Sequence, residues 1–344
     1  MLNLNYLKKL EKKVPTIQLL VNNFEKNQVF EYSNTTIHQR FQSASVGKVF
    51  CATLMMMSVE KKMISLDTNI SKVLDEAMLD NLFVYKGIDY KNDVLVKHLL
   101  AHTSGVNDYF EGKTKGSMPF MKKLEKDPMH LYNPTELIDF TRNYQQAIAK
   151  PGEKFYYSDT GYNLLGLILE ALYEIPYHQI LRKYIIEPLK LKDTALCFYD
   201  VHFDQESLAP VLFKGKRMEK TNALSCDFAG GGLQTSVYDL DHFLRSLLEG
   251  KLISKDSLDF MIKPKHRFHF IMDYGHGMIT IDFKRIVPWM RGYPKMVGGL
   301  GSLSVHAFID PISLNTIIIN LGDPSKMRLS FKLLVKSAKW LKNN

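Results

Sequence analysis

Strand-like runs stand near both ends of this chain and almost none lie between, which constrains the fold more than any other feature. Thr16–Val21 and Gln28–Tyr32 read as two strands joined by the polar turn Asn22–Asn27. The next such runs are Tyr274–Ile281, Ser302–Ile309 and Leu314–Leu321, followed by a helix near Met327–Leu341. Between about 64 and 225, helical patterns punctuated by proline and glycine turns dominate. A sheet must bury a face against another layer, so the two ends are expected to meet in one sheet covered by helices. The middle then becomes an inserted helical lobe. A chain of 344 residues is long enough for two packed lobes or one large body with an insertion.

Composition narrows the class. Hydrophobic residues make up 45% and charged residues 24%, an ordinary globular balance. A disordered tail, a collagen-like fibre and a disulfide scaffold are excluded. The net charge of +9 is spread over dispersed pairs such as Lys8-Lys9, Lys12-Lys13, Lys61-Lys62 and Lys122-Lys123, so no nucleic-acid partner is expected. Cys51, Cys197 and Cys226 are an odd set without CxxC spacing and are expected to be buried free thiols. Leu4, Leu7, Leu10 and Val14 recur at helical spacing, so residues 2–14 should form a helix packed on the sheet. That segment lacks the apolar core of a secretory signal, and no run approaches the roughly 18 apolar residues of a membrane span. The expectation is a cytoplasmic protein with no integral membrane segment, or an exported one if a leader has been removed.

Ala44–Met63 is a long apolar run without proline, hence a buried helix, and Met55, Met56 and Met57 within it fill core space. Val94–Ala101 should be a helix ended by His102-Thr103-Ser104-Gly105. Asn133-Pro134-Thr135-Glu136 is a helix start with Asn133 as cap. Tyr162–Tyr173 and Val237–Leu248 complete the main helices, the latter after Gly230-Gly231-Gly232.

Three segments can carry chemistry. In Ser45-Val46-Gly47-Lys48, positions i and i+3 share a helix face, so the hydroxyl and amine can meet. At a first helical turn, free N–H groups stabilise developing negative charge, and burial disfavours a protonated lysine, which moves Lys48 toward use as a base. Ser58-Val59-Glu60-Lys61 repeats the spacing at the polar end of the same helix and is read as solvated. The second segment is Tyr157-Ser158-Asp159. The third is Met296-Val297-Gly298-Gly299-Leu300-Gly301-Ser302, a glycine-rich entry to a strand, where close approach of another molecule is possible. His266 and His269 lack an acidic third ligand, so no metal site is expected, and there is no P-loop or GxGxxG.

Taken in order, Ser45-x-x-Lys48, Tyr157-x-Asp159 and a glycine-rich strand resemble the serine β-lactamase and penicillin-binding-protein superfamily, in its class C-like branch. Leu99–Gly105, Pro151–Gly166, Ala229–Leu233, Thr235–Leu240 and Tyr274–Gly277 look like the same family, and the resemblance runs from about residue 14 to 340. It implies an α/β (α+β) fold of β-lactamase/transpeptidase type. A central antiparallel sheet would lie in a lobe of residues 1–63 plus 226–344, flanked by helices, with a mainly helical lobe at 64–225 and the active site between them.

The resemblance further implies acyl transfer, with Ser45 as nucleophile and Lys48 and Tyr157 sharing the general base and acid work. The oxyanion hole would be the backbone N–H groups of Ser45 and Ser302. His102 and Ser104 resemble a serine–histidine pair, but in the family this turn looks structural. No cofactor is implied, and the partner would be a small-molecule or peptide-like substrate. Two departures matter. Asp159 stands where the family has Asn; paired with Lys48 it would keep the lysine protonated and leave Tyr157 as base, its pKa lowered by the cation. Aligning Asp310-Pro311 places Gly299-Leu300-Gly301 on the family's Lys/His-x-Gly, so the cation that binds a substrate carboxylate is missing; one slip would put Met296 or Val297 there. The expectation is an esterase, amidase or D-amino-acid peptidase rather than an efficient β-lactamase or D-Ala-D-Ala carboxypeptidase. The alternative is a catalytically degenerate homologue that binds a ligand or partner.

Overall fold

The computed structural model describes residues 2–285, 290 and 292–344. Eight strands form one antiparallel sheet: β1 (Gln18–Asn23), β2 (Gln28–Ser33), β3 (His266–His269), β4 (Met272–Tyr274), β5 (Ile279–Asp282), β6 (Lys295–Gly301), β7 (Val305–Ile309) and β8 (Thr316–Asn320). Their order is β3-β4-β5-β6-β7-β8-β1-β2. The two ends of the chain join where β1 pairs with β8, Leu19 opposite Ile319 and Val21 opposite Ile317.

The principal helices are α1 (Leu4–Glu11), α2 (Gly47–Glu60), α3 (Pro134–Tyr144), α4 (Asp159–Tyr173), α5 (Val237–Leu248) and α6 (Met327–Asn343). Side chains alternate across a strand, so each strand serves two cores. On β7, Val305, Ala307 and Ile309 join the core shared with α2, α4 and α5, while Phe308 joins the one covered by α1 and α6. Leu7 and Leu10 of α1 and Leu333 and Leu334 of α6 seal that second face. α2 is apolar nearly all round and is enclosed by neighbours, with Phe50 stacked on Phe243 of α5 at 3.7 Å. A third cluster, Tyr109, Phe120, Leu137 and Phe140, gathers around α3.

Several local expectations hold. Asn133 accepts from the Glu136 N–H at 3.0 Å while the Glu136 carboxylate accepts from the Asn133 N–H at 3.0 Å, a reciprocal capping box. All three cysteines are buried and unpaired. Among the described residues no helix is long and apolar enough to cross a membrane.

Others are corrected. Tyr274–Ile281 is two strands, because the chain turns at Gly275–Met278; Gly277, at φ +103°, lies against Ala52 of α2, where a side chain would collide. The glycine-rich run is not the entry to a strand but is itself β6. Ser302 is exposed in the turn that follows, and β7 begins only at Val305. Ser58 is buried rather than solvated, its hydroxyl donating to Leu54 O at 2.9 Å, while Lys61 lies over the Tyr184 ring at 3.7 Å.

Candidate active site

Ser45 sits in a 3-10 turn, Ala44–Val46, one step before α2, and is the only residue of Phe41–Phe50 that is not buried. Ala44 holds a left-handed φ of +47°, a conformation rare outside glycine. Three neighbours fix this turn: the Ala44 N–H donates to Gln42 Oε1 at 3.1 Å, the Ser43 N–H to Leu233 O at 2.8 Å, and Ser43 Oγ to Gly231 O at 3.0 Å. β6 passes along it. A Cβ at Gly299 would lie 3.1 Å from Val46 Cα, and one at Gly301 would lie 2.6 Å from Ser43 O. Glycine is what allows the strand to come so close.

Lys48 lies on the first turn of α2 with 1% of its surface exposed. Its ammonium has three protons and three acceptors: Ser45 Oγ at 3.1 Å, Gly230 O at 2.7 Å, and the Asp159 carboxylate. The Tyr157 and Tyr162 rings stand 4.9 and 5.4 Å from it. Burial alone would lower its pKa, but Asp159, reinforced by Tyr157 and Asp227, carries it well above the usual lysine range. The expectation that Lys48 tends toward a free base is therefore overturned by the ion pair anticipated from Asp159.

Asp159 opens α4. Ser158 caps that helix, its Oγ accepting from the Gly161 N–H at 3.3 Å and donating to Asn107 O at 2.8 Å. The Asp159 N–H donates to Asp108 Oδ1 at 2.9 Å, and Asp108 Oδ2 accepts from the Glu111 N–H at 2.9 Å. Asp108 and Asp227 were missed in the sequence. Both are pushed up to about 7, first by burial and then by the charge of Asp159. No spacing connects them to Lys48; only the packed fold does.

Tyr157 is half-buried beside Ser45 and Lys48, which both draw its pKa down. Burial outweighs them and Asp159 adds to the rise, so the phenol is pushed up to about 12. The expected lowering by the cation is real but does not prevail. The Tyr157 ring stacks on Phe268 of β3 at 5.3 Å, another contact the sequence did not reveal.

The third segment supplies no cation. Gly299 abuts Val46 and Val49, Met296 and Val297 are buried apolar residues, and Leu300 is half-buried. His276 does not fill the gap: its Nδ1 lies 3.1 Å from Phe260 O and its ring stacks on Phe260 at 3.8 Å. The structure thus brings Ser45, Lys48, Tyr157 and Asp159 together, sets Gly299 and Gly301 against the serine turn, and leaves Ser302 at the hairpin beyond.

Comparison with known proteins gives the same picture. The family described as Beta-lactamase matches residues 5–310. Penicillin-binding protein 4* of Bacillus subtilis (strain 168) is 24% identical over 275 residues, 74% of this chain and 56% of its own length. This chain spans about half the length of the curated relatives it matches. Among solved structures, a D-amino acid amidase from Ochrobactrum anthropi SV3, complexed with L-phenylalanine amide, superposes with a TM-score of 0.77 at 20% identity over 96% of both chains. A D-stereospecific amidohydrolase from Streptomyces sp. gives 0.75 at 20% identity over 91% of this chain and 90% of that one. Those likenesses show a shared fold. The family match takes in every side chain gathered around Lys48, and by its extent the chain belongs to the beta-lactamase family.

Proposed function

We propose that this protein is a serine hydrolase that forms an acyl-enzyme on Ser45, acting on esters or amides without a carboxylate near the scissile bond. The observation that carries the reading is the bond from Lys48 Nζ to Ser45 Oγ at 3.1 Å, with the other two ammonium protons held by Asp159 and Gly230 O. A lysine so held stays a cation and favours negative charge on the serine oxygen. Tyr157, kept as a neutral phenol, takes the Ser45 proton as it gives its own to the departing nitrogen or oxygen. One proton leaves serine, one reaches the leaving group, and no phenolate need exist at rest. Water would attack the acyl-enzyme by the same route in reverse. The N–H groups of Ser45 and Ser302 are assigned to the carbonyl oxygen.

Substrate class follows from the wall opposite. No ammonium or imidazole lies on β6 between Met296 and Gly301, where Leu300 is half-buried, while Phe268 presents apolar surface beside Tyr157. The amide-hydrolysing names of the two structural neighbours agree with such a substrate. The Lys48–Asp159 pair favours a second reading, a binder without turnover, since it ties the lysine to a carboxylate. One experiment separates them: mass-spectrometric mapping after a fluorophosphonate and, separately, a fluorescent penicillin. Phosphonate on Ser45 without penicillin is the expected result. Adducts from both would restore β-lactam chemistry, and none from either would leave the binder.

A further inference from the structure

His102 is 2% exposed, adopts φ +55°, and sits on the turn between the helix Val96–Leu100 and Gly105. Its bonds bracket one residue. The Tyr156 N–H donates to the His102 carbonyl at 2.8 Å, and the Ser158 N–H donates to His102 Nδ1 at 3.1 Å. Between those two anchors lies Tyr157, whose ring rests on the imidazole with centroids 4.2 Å apart and planes 32° apart. Phe268 also stacks on that ring, with centroids 5.3 Å apart.

We propose that His102 is the positioning residue of Tyr157, fixing the backbone on both sides of it and forming the floor on which its phenol lies. This rests on the reading that Tyr157 shuttles protons. Because Nδ1 accepts from Ser158, the imidazole proton sits on Nε2, which is buried and has no hydrogen-bond partner among the described residues. Neither nitrogen is then available to take a proton from Ser45, which removes a serine–histidine mechanism. The groups facing the ring are Lys48 of α2, Tyr157, Tyr162 of α4, Tyr274 of β4 and His266 of β3. Burial and the Lys48 charge hold the imidazole well below its ordinary range. Neutrality is required by the geometry, since an imidazolium would set a donor against the Ser158 N–H.

Two variants divide the roles. His102→Asn keeps an acceptor for Ser158, tolerates the left-handed backbone and removes the ring. His102→Phe keeps a ring and removes the acceptor. The rate of Ser45 labelling by a fluorophosphonate, per folded molecule and from about pH 6 to about pH 11, is expected to fall by roughly 10²-fold in both. In His102→Asn an alkaline inflection should also enter that range, near the ordinary tyrosine value of 10.0, because water reaches the phenol, whereas in the parent it lies above the range, at about 12. A His102→Asn rate and pH profile matching the parent would overturn the proposal. If the parent itself is not labelled, the acyl-enzyme reading has failed, and amide hydrogen exchange over residues 155–159 decides for His102. Faster exchange in both variants upholds it, and unchanged exchange overturns it.

Discussion

Replacing Asp159 by asparagine would leave an acceptor beside Lys48 but remove a negative charge that raises the Tyr157 pKa. The onset of Ser45 labelling in Asp159→Asn should therefore move to lower pH, seen in the pH dependence of phosphonylation. Stability should fall by on the order of 3 kcal/mol, because a buried cation loses its partner. The Lys48 pKa is raised, so its share of stability is present at all pH below the ordinary lysine range and is lost only above it. That loss should not vary across neutral pH. Asp227 behaves oppositely. Its folded carboxyl titrates near 7 while the unfolded one titrates near 3.8, so the native state binds the extra proton and stability falls as pH rises between those values. Asp227→Asn is expected to raise the melting temperature at pH 8, with the gain vanishing toward pH 4. The motif side chains were legible because helical spacing and order along the chain carry them. Asp108, Asp227 and Phe268 were not, because each reaches Tyr157 or Lys48 from a different element, with no sequence interval linking them.

The meeting of α2 with the Gly230 carbonyl depends on two glycines. A Cβ at Gly47 would lie 2.7 Å from Gly231 Cα, so Gly47→Ala must push the Phe228–Gly231 segment away and stretch the bond from Lys48 to Gly230 O. Chemical denaturation should show a loss of about 1–3 kcal/mol, and labelling of Ser45 should slow. On β6, Gly299→Lys does not restore a carboxylate-binding cation. Its Cβ would face Val46 and Val49, 3.1 and 3.2 Å away, so the expected outcome is lower stability with no gain in penicillin labelling. A helix start was readable where a side chain caps its own turn, as at Asn133. The break at 275–278 was not, because Gly275-His276-Gly277 resembles a strand until α2 is packed against it.

At the scale of the molecule, the sheet from both chain ends was foreseeable, since no other arrangement covers two separated sets of apolar strands. Register was not, because it follows from cross-strand packing between residues some 300 positions apart. Removing residues 2–33 would strip β1 and β2 and leave β8 as an open apolar edge. Although Ser45 lies outside that segment, such a truncation should aggregate and lose cooperative unfolding by circular dichroism.

The pairing of β1 with β8 also sets a timetable. During synthesis the serine turn and α2 emerge early, yet β6, which passes beside Ser43 and Val46, follows some 250 residues later. At roughly 5–20 residues per second, that interval is long compared with the closing of a helix or a hairpin. Throughout that interval the chain holds Ser45 without the strand that packs against its turn. Reactivity at Ser45 is therefore expected only after β6 has emerged.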